Sequence, residues 1–146
     1  MDKAEELEAT FRCSICGQEA GRVRFYAAGE PVVVASDRPA SRAVAELDVI
    51  LRKIRPAGQA SLVVETFYGV ESQPVWPERV QALSRAVRSG EASALYGITY
   101  AYAPFHCPDC HTEYCGSHWE WKRFEDEFHS GVDAHCPRGH FHVLMY

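Results

Sequence analysis

Alternating polar and apolar residues predict a β-hairpin in the first third of the chain. Residues 22–27 read Arg-Val-Arg-Phe-Tyr-Ala, and residues 31–35 read Pro-Val-Val-Val-Ala beyond a turn at Gly29. Two such runs joined through a glycine are typical of paired strands. Similar patterns predict further strands over 61–67, about 94–102 and 141–146.

Two amphipathic helices are predicted from apolar residues that recur at intervals of three and four. The first begins after Asp37 and Pro39, which suit a helix start, and ends near Pro56. The second has Pro77 in its first turn and Gly90 just past its end. Their apolar positions are Val44, Leu47, Leu51 and Ile54 in the first helix and Val80, Leu83 and Val87 in the second.

The hydrophobic pattern predicts the secondary structure of three segments less clearly. Residues 2–11 indicate a short solvated helix or arm, and the stretch through Pro74 to Trp76 is rich in turn residues. Residues 119–131 suit either a helix or a short strand, because their aromatic residues fit both periods. The elements between 22 and 103 therefore predict a small α/β layer whose helices are long enough to cross over a sheet.

Composition limits the architecture and the partners. A chain of 146 residues with 47% hydrophobic content can bury one ordinary core, so we expect a single compact domain over 1–146. The net charge of −5 makes nucleic acid an unfavoured partner. The first eight residues are acidic and no apolar run reaches membrane-spanning length. We therefore expect a cytoplasmic protein without a membrane segment.

All six cysteines lie in short-spaced pairs with each other or with histidine. Such pairs in a reducing compartment are more often metal ligands than disulfides. Eight ligands suffice for two tetrahedral zinc sites. The predicted zinc ligands are Cys13, Cys16, Cys107, Cys110, Cys115, His118, Cys136 and His140.

The position of the first pair predicts that folding and metal binding are coupled. Residues 13–16 lie far upstream of the other pairs at 107–140, so the layer must bring them together before a shared site can form. Gly17 and Gly139 follow the turns of two pairs, where a positive φ is often needed. At the last pair, His135 or His142 is an alternative to His140.

Enzyme interpretations of these motifs are weaker than a structural one. Cys107-Pro-Asp-Cys110 could be a redox pair of the thioredoxin type, but no amphipathic helix begins at Cys110. The segment from His118 to Glu120 has residue types used by zinc deaminases, but their later Pro-Cys-x-x-Cys is absent. A closed four-coordinate zinc leaves no position for a substrate. We therefore predict no catalytic residues.

The order of the pairs resembles the RING, FYVE and in-between-RING group of two-zinc modules. The most specific feature is the gap of four residues between Cys110 and Cys115. The long insertion after Cys16 and the closing His140 depart from that pattern. The resemblance implies an α+β fold, in which a small mixed sheet with two helices is inserted into a treble-clef or zinc-ribbon-like module.

Three pairings of the ligand pairs are open. A cross-brace joins the first pair with the third and the second with the fourth; a sequential scheme joins neighbours; a local knuckle joins the second with the third. The resemblance alone favours the cross-brace. FYVE-like lipid binding is not implied, because the basic motif those domains have before the second pair is missing here.

The function predicted from these features is a protein-interaction or adaptor module with two structural zinc ions. Its partner would be another protein, recognised through aromatic residues such as Trp119 and Trp121, although these side chains equally suit core packing. The alternative is an activity like that of RING-type ubiquitin ligases, which the resemblance implies. A redox or metal-dependent enzyme remains a further alternative, and the partner and oligomeric state are undetermined.

Overall fold

A computed structural model describes residues 7–28, 59–125, 127 and 130–146. The predicted strand over 31–35 and the first predicted helix lie outside these described residues. The other predicted elements can be compared with the structure.

Among the described residues, four antiparallel strands form the sheet of a helix–sheet layer. They lie in the order β1 (Glu8–Arg12), β2 (Glu19–Tyr26), β3 (Ser61–Thr66) and β4 (Gly69–Pro74). The strands predicted near 22–27 and 61–67 are confirmed as β2 and β3. The helix or arm predicted to reach residue 11 is wrong there, since Glu8 pairs with Arg24 and Phe11 with Gly21.

The segment predicted as turn-rich before Trp76 is instead the edge strand β4. Its glycine, serine and proline gave a turn signal, but pairing with β3 along its whole length holds the segment extended. Pro74 is tolerated because it is the last residue of an edge strand. Tertiary hydrogen bonding therefore overrides the local composition.

The second predicted helix is confirmed as α1 (Val80–Ser89), preceded by a 3₁₀ turn at Pro77–Arg79. Gly90 ends it with φ of 70°, a left-handed conformation that glycine adopts without strain. Leu83 and Val87 face the sheet and pack with Val23, Leu62 and Val64 of β2 and β3. This apolar cluster is the layer core.

The strand predicted over about 94–102 is wrong. These residues form α2 (Ala92–Ile98) and a 3₁₀ turn (Tyr100–Tyr102). Tyrosine, isoleucine and threonine favour strands, but Ala92 and Leu95 are three residues apart and both are buried in the layer core. Packing of one helical face thus decides the conformation.

The remaining strands belong to a metal module that follows the layer. A two-stranded ribbon contains β5 (His106–Cys107) and β6 (Thr112–Glu113). A three-stranded antiparallel sheet contains β7 (Glu120–Glu125), β8 (Ser130–His135) and β9 (Phe141–Met145). The strand predicted over 141–146 is confirmed as β9. Residues 119–131, whose pattern suited a helix or a strand, begin with strand β7.

The β3–β4 hairpin joins the layer to the metal module. Its turn residues Phe67 and Tyr68 lie against Trp121, with ring centroids 5.5 and 6.4 Å away. The Tyr68 hydroxyl donates a 3.2 Å hydrogen bond to the carbonyl of Leu144. Phe67 lies so close to Gly116 that a Cβ there would be 2.5 Å from the Cβ of Phe67.

The predicted α+β class is confirmed for the described part of the chain. Within that part, no helix is long and apolar enough to cross a membrane.

Candidate metal centres

The structure gathers the eight predicted ligand residues into two Cys3His clusters. Within each cluster the four donor atoms lie within 4.8 Å of one another. Cluster 1 contains Cys13, Cys16, Cys115 and His118. Cluster 2 contains Cys107, Cys110, Cys136 and His140. The first pair thus meets the third and the second meets the fourth, which is the cross-braced arrangement.

The first half of cluster 1 is the tight turn between β1 and β2. The Cys13 N–H donates to the carbonyl of Gln18 at 2.7 Å, and the Gly17 N–H donates to the Cys13 carbonyl at 2.9 Å. Gly17 has φ of 76°, as predicted from its place after the pair. The N–H of Ser14 donates to the carbonyl of Glu113 at 3.0 Å. This bond fixes the turn against β6, beside the second half of the cluster.

The second half of cluster 1 is a turn that directly follows β6. The N–H of His118 and that of Trp119 both donate to the Cys115 carbonyl, at 3.0 and 2.9 Å. His118 Nδ1 consequently lies 3.3 Å from the Cys115 sulfur and 3.4 Å from the Cys13 sulfur. One imidazole nitrogen therefore points into the centre of the group of sulfurs.

Cluster 2 begins in the turn between β5 and β6. Cys107 is the last residue of β5 and is fully buried, while Cys110 is half-buried. His111 has φ of 56°, the counterpart of Gly17 in cluster 1. A non-glycine residue in this conformation is uncommon, and sequence reasoning gave no signal for it.

The other half of cluster 2 is the turn between β8 and β9. The Cys136 sulfur accepts hydrogen bonds from the N–H groups of Arg138 and His140, at 3.3 and 3.4 Å. Gly139 relieves this turn with φ of 89°, as predicted. The Nδ1 of His140 lies 3.3 Å from the Cys136 sulfur and 3.4 Å from the Cys110 sulfur.

Hydrogen bonding and burial set the acidity of the thiols in opposite directions. Burial raises the pKa of Cys13, but N–H groups of Cys115, Cys16 and Ile15 together outweigh it and lower the pKa to about 6. Such a thiol is a thiolate near neutral pH, which is the form that binds metal. Cluster 1 therefore contains a ligand that is deprotonated before any ion arrives.

Cluster 2 contains one thiol with a lowered pKa and one with a raised pKa. Burial raises the pKa of Cys136, but the N–H groups of His140 and Arg138 lower it in balance to about 7. Burial dominates at Cys107 and raises its pKa to about 12. A divalent ion must therefore displace a proton from Cys107.

Three histidines outside the clusters have other contacts in the structure. His142, an alternative ligand in the sequence, lies with Nε2 2.7 Å from a carboxylate oxygen of Asp109. His135, the other alternative, is exposed and its ring lies against Phe141. His106 is buried and its Nδ1 lies 3.3 Å from a carboxylate oxygen of Glu113. His140 is the histidine that lies within cluster 2.

Aromatic side chains surround both clusters. Trp119 is buried, and its indole N–H donates to the carbonyl of Phe105 at 3.0 Å. Its ring packs edge-on against Tyr114, and Trp121 packs against the β3–β4 turn. The core-packing interpretation of these tryptophans is therefore the one that fits their positions. The cluster of cysteines and aromatics is the module core.

Comparison with protein families adds one result to this geometry. The family described as Domain of unknown function (DUF8328) matches residues 2–145. The chain belongs to this family. No curated protein and no solved structure matches the chain. The description of the DUF8328 family assigns no activity, so the chemistry of the two clusters must indicate what this member does.

The donor set of each cluster fits a structural metal site. Three sulfurs and one nitrogen are a donor set typical of structural zinc sites, in which four ligands complete a tetrahedral shell. Most of the sulfurs are buried, and several of them, including those of Cys13 and Cys136, accept backbone hydrogen bonds that stabilise thiolates. No ligand position would remain for a substrate on an ion held by all four residues.

Proposed function

We propose that this protein binds two structural zinc ions and serves as a protein-interaction module. The observation that supports this most strongly is the convergence of four distant ligand pairs into two complete Cys3His sets. Ions in these sets cross-link the β1–β2 turn, the β5–β6 ribbon and the three-stranded sheet. The layer and the metal module would then fold as one unit over 1–146.

Elemental analysis of the purified native protein tests the zinc proposal. We expect two zinc ions per chain. His140→Ala should lower the content towards one, because it removes a nitrogen ligand from cluster 2. His135→Ala is the matched control, since His135 is exposed and lies outside both clusters. A native protein without bound metal, or equal zinc loss in both variants, would contradict the proposal.

The interaction role is supported by apolar side chains that the module leaves in solvent. Ile15, in the turn between the first two cysteines, is 54% exposed, and Phe141 of β9 is 53% exposed. Large apolar and aromatic side chains of this kind are enriched in protein–protein interfaces. We expect a partner captured from the native host to be lost with Ile15→Lys or Phe141→Lys. Trp76→Lys is the control, because Trp76 is equally exposed on the layer.

A ubiquitin-ligase-like activity is the second candidate, and the cross-braced pairing is the observation that favours it. Such an activity needs a docked carrier and no open metal position. Its test is the discharge of ubiquitin from a panel of charged carriers onto free lysine. Discharge that depends on Cys16 and on Cys110 would support a ligase, whereas no discharge with any carrier would leave the adaptor role.

A further inference from the structure

The two clusters differ in how far their sulfurs are exposed. In cluster 1, Cys13 and Cys115 are buried but Cys16 is an exposed residue. In cluster 2, Cys107 and Cys136 are buried and Cys110 is only half-buried. Cys16 is thus the exposed cysteine of the six. Its neighbour Ile15 is also exposed, so reagents can reach this turn from solvent.

Distances between sulfurs do not distinguish the clusters. Cys16 Sγ lies 3.6 Å from Cys115 Sγ, and Cys110 Sγ lies 3.7 Å from Cys136 Sγ. Each pair would have to close by about 1.6 Å to form a bond of disulfide length. Because this requirement is the same, access to oxidant decides which pair reacts.

We propose that cluster 1 is a peroxide-sensitive site in which Cys16 is oxidised first and then forms a disulfide with Cys115, releasing one of the two zinc ions. This inference rests on the zinc sites proposed above and adds their regulation. The oxidant is a hydroperoxide, such as hydrogen peroxide. Cluster 2 keeps its ion because none of its three cysteines is an exposed residue.

The reaction balances in two steps. The Cys16 thiolate attacks the peroxide, the O–O bond breaks, and Cys16 becomes a sulfenic acid while hydroxide leaves. The Cys115 thiolate then attacks the Cys16 sulfur, the S–O bond breaks, and a second hydroxide leaves. Two thiolates have supplied the two electrons that reduce one peroxide. Cys13 and His118 remain as donors, and two ligands do not retain zinc in competition with a chelator.

The position of the disulfide determines the structural consequence. Cys16 lies in the β1–β2 turn and Cys115 in the turn after β6, 99 residues apart in the chain. A disulfide between them replaces the metal cross-link by a covalent one. Oxidation therefore exchanges zinc for a disulfide without detaching the β1–β2 turn, and a thiol reductant with added zinc reverses it.

The experiment starts from native protein whose two zinc ions have been confirmed by elemental analysis. One equivalent of hydrogen peroxide is added in the presence of a chromogenic zinc chelator, and the products are mapped by mass spectrometry. We expect release of one zinc ion and a disulfide between Cys16 and Cys115. A protein without zinc at the start would refute the zinc proposal itself. Two ions released together, or a Cys110–Cys136 disulfide, would refute only the present inference.

Two matched variants locate the reacting sulfur. Cys16→His and Cys110→His each replace one sulfur ligand by a nitrogen ligand, so both can keep four donors. Cys16→His should slow the first zinc release by about tenfold or more, because it removes the exposed thiolate. Cys110→His changes only cluster 2, so the Cys16–Cys115 disulfide should still form in that variant when peroxide is added. The assignment would be overturned if Cys110→His slowed the first zinc release more than Cys16→His did. A Cys13–Cys16 disulfide in the peroxide-treated native protein would also overturn it. If a variant loses metal, the disulfide mapped in the peroxide-treated native protein still shows which two cysteines react.

Discussion

The two cores of this protein contain different types of side chain. The layer core contains aliphatic side chains such as Leu62, Leu83 and Leu95, buried between a four-stranded sheet and two helices. The module core contains four buried cysteines, three buried aromatic residues and only three buried aliphatic ones, Val132, Ala134 and Leu144. The layer can be stabilised by apolar burial, whereas in the module many of the buried side chains are the predicted metal ligands.

This difference indicates that the module, rather than the layer, needs metal for its stability. A small core that contains few aliphatic side chains buries too little apolar surface to offset the loss of chain entropy, so cross-links must supply the remainder. The layer contributes by holding the first ligand pair near the others. Loss of metal should therefore have a larger effect than any single substitution at the contact between the layer and the module.

Removal of both metal ions should separate the behaviour of the two regions. A structural zinc ion contributes on the order of 10 kcal/mol, which is as large as the total stability of many domains. Chelation should abolish the near-ultraviolet circular dichroism of Trp119 in the module core, and zinc should restore it. Magnesium is the control ion, because sulfur ligands bind it poorly. An unchanged spectrum in metal-free protein would contradict the comparison.

Lowering the pH should weaken zinc binding in cluster 2. Without metal, Cys107 has a pKa of about 12, so it stays protonated below that value and protons compete with zinc. Each such thiol costs about tenfold in affinity for each pH unit lowered. In cluster 1, the pKa of Cys13 is about 6, so this ligand adds no such dependence above pH 7. Cys16 does add one, because a hydrogen bond from the Gln18 N–H lowers its pKa but desolvation and the neighbouring sulfurs of Cys115 and Cys13 together raise the pKa by more. Competition with a chelator at several pH values measures both clusters; affinity of cluster 2 that does not change with pH would contradict the prediction.

Gly116→Ala should damage the contact between the two regions. The added Cβ would meet Phe67 of the β3–β4 turn, and relief of such a clash costs about 2 kcal/mol. The free energy of unfolding, measured with urea, should fall by that amount. Gly97→Ala is the control, because no atom lies within 4 Å of its added Cβ and alanine favours the helix. Equal losses in the two variants would argue against the contact.

Tyr68→Phe tests the hydrogen bond across the same contact. The hydroxyl is buried and donates to Leu144, so its removal leaves that carbonyl without this donor and should cost about 1 kcal/mol. Tyr100→Phe is the comparison, since Tyr100 is exposed and should change stability little. Urea unfolding measures both. A neutral Tyr68→Phe would show that the bond contributes nothing to joining the regions.

His111→Gly should give the smallest change and in the opposite direction. The left-handed backbone of His111 costs about 1 to 2 kcal/mol for a residue with a Cβ, while glycine loses more entropy on folding. The balance is a gain of about 0.5 kcal/mol in unfolding free energy. Gly17→Ala, at the matching position of cluster 1, should instead destabilise. A loss of stability in both variants would indicate that the His111 side chain has another role.

The sequence identified the pairs from which the two clusters are made, because ligand spacing within a pair is a local property. It also identified α1, whose stripe at Val80, Leu83 and Val87 has helical spacing over about two turns. Gly17 and Gly139 were predictable for the same reason, since the turn itself demands a positive φ. In each case the cause lies within a few residues of the chain.

Only the tertiary structure decided how these pieces meet. Which pair shares a cluster with Cys13 depends on contacts nearly 100 residues apart, and the spacing of the pairs is compatible with three schemes. The helix at Ala92–Ile98 exists because the layer core accepts Ala92 and Leu95 on one side, against the strand preference of its neighbours. Trp119 is buried, with its ring edge-on to Tyr114 and His142 and its indole N–H bonded to the carbonyl of Phe105. Long-range packing has no local signal, and that is the physical reason these features could not be derived from the chain alone.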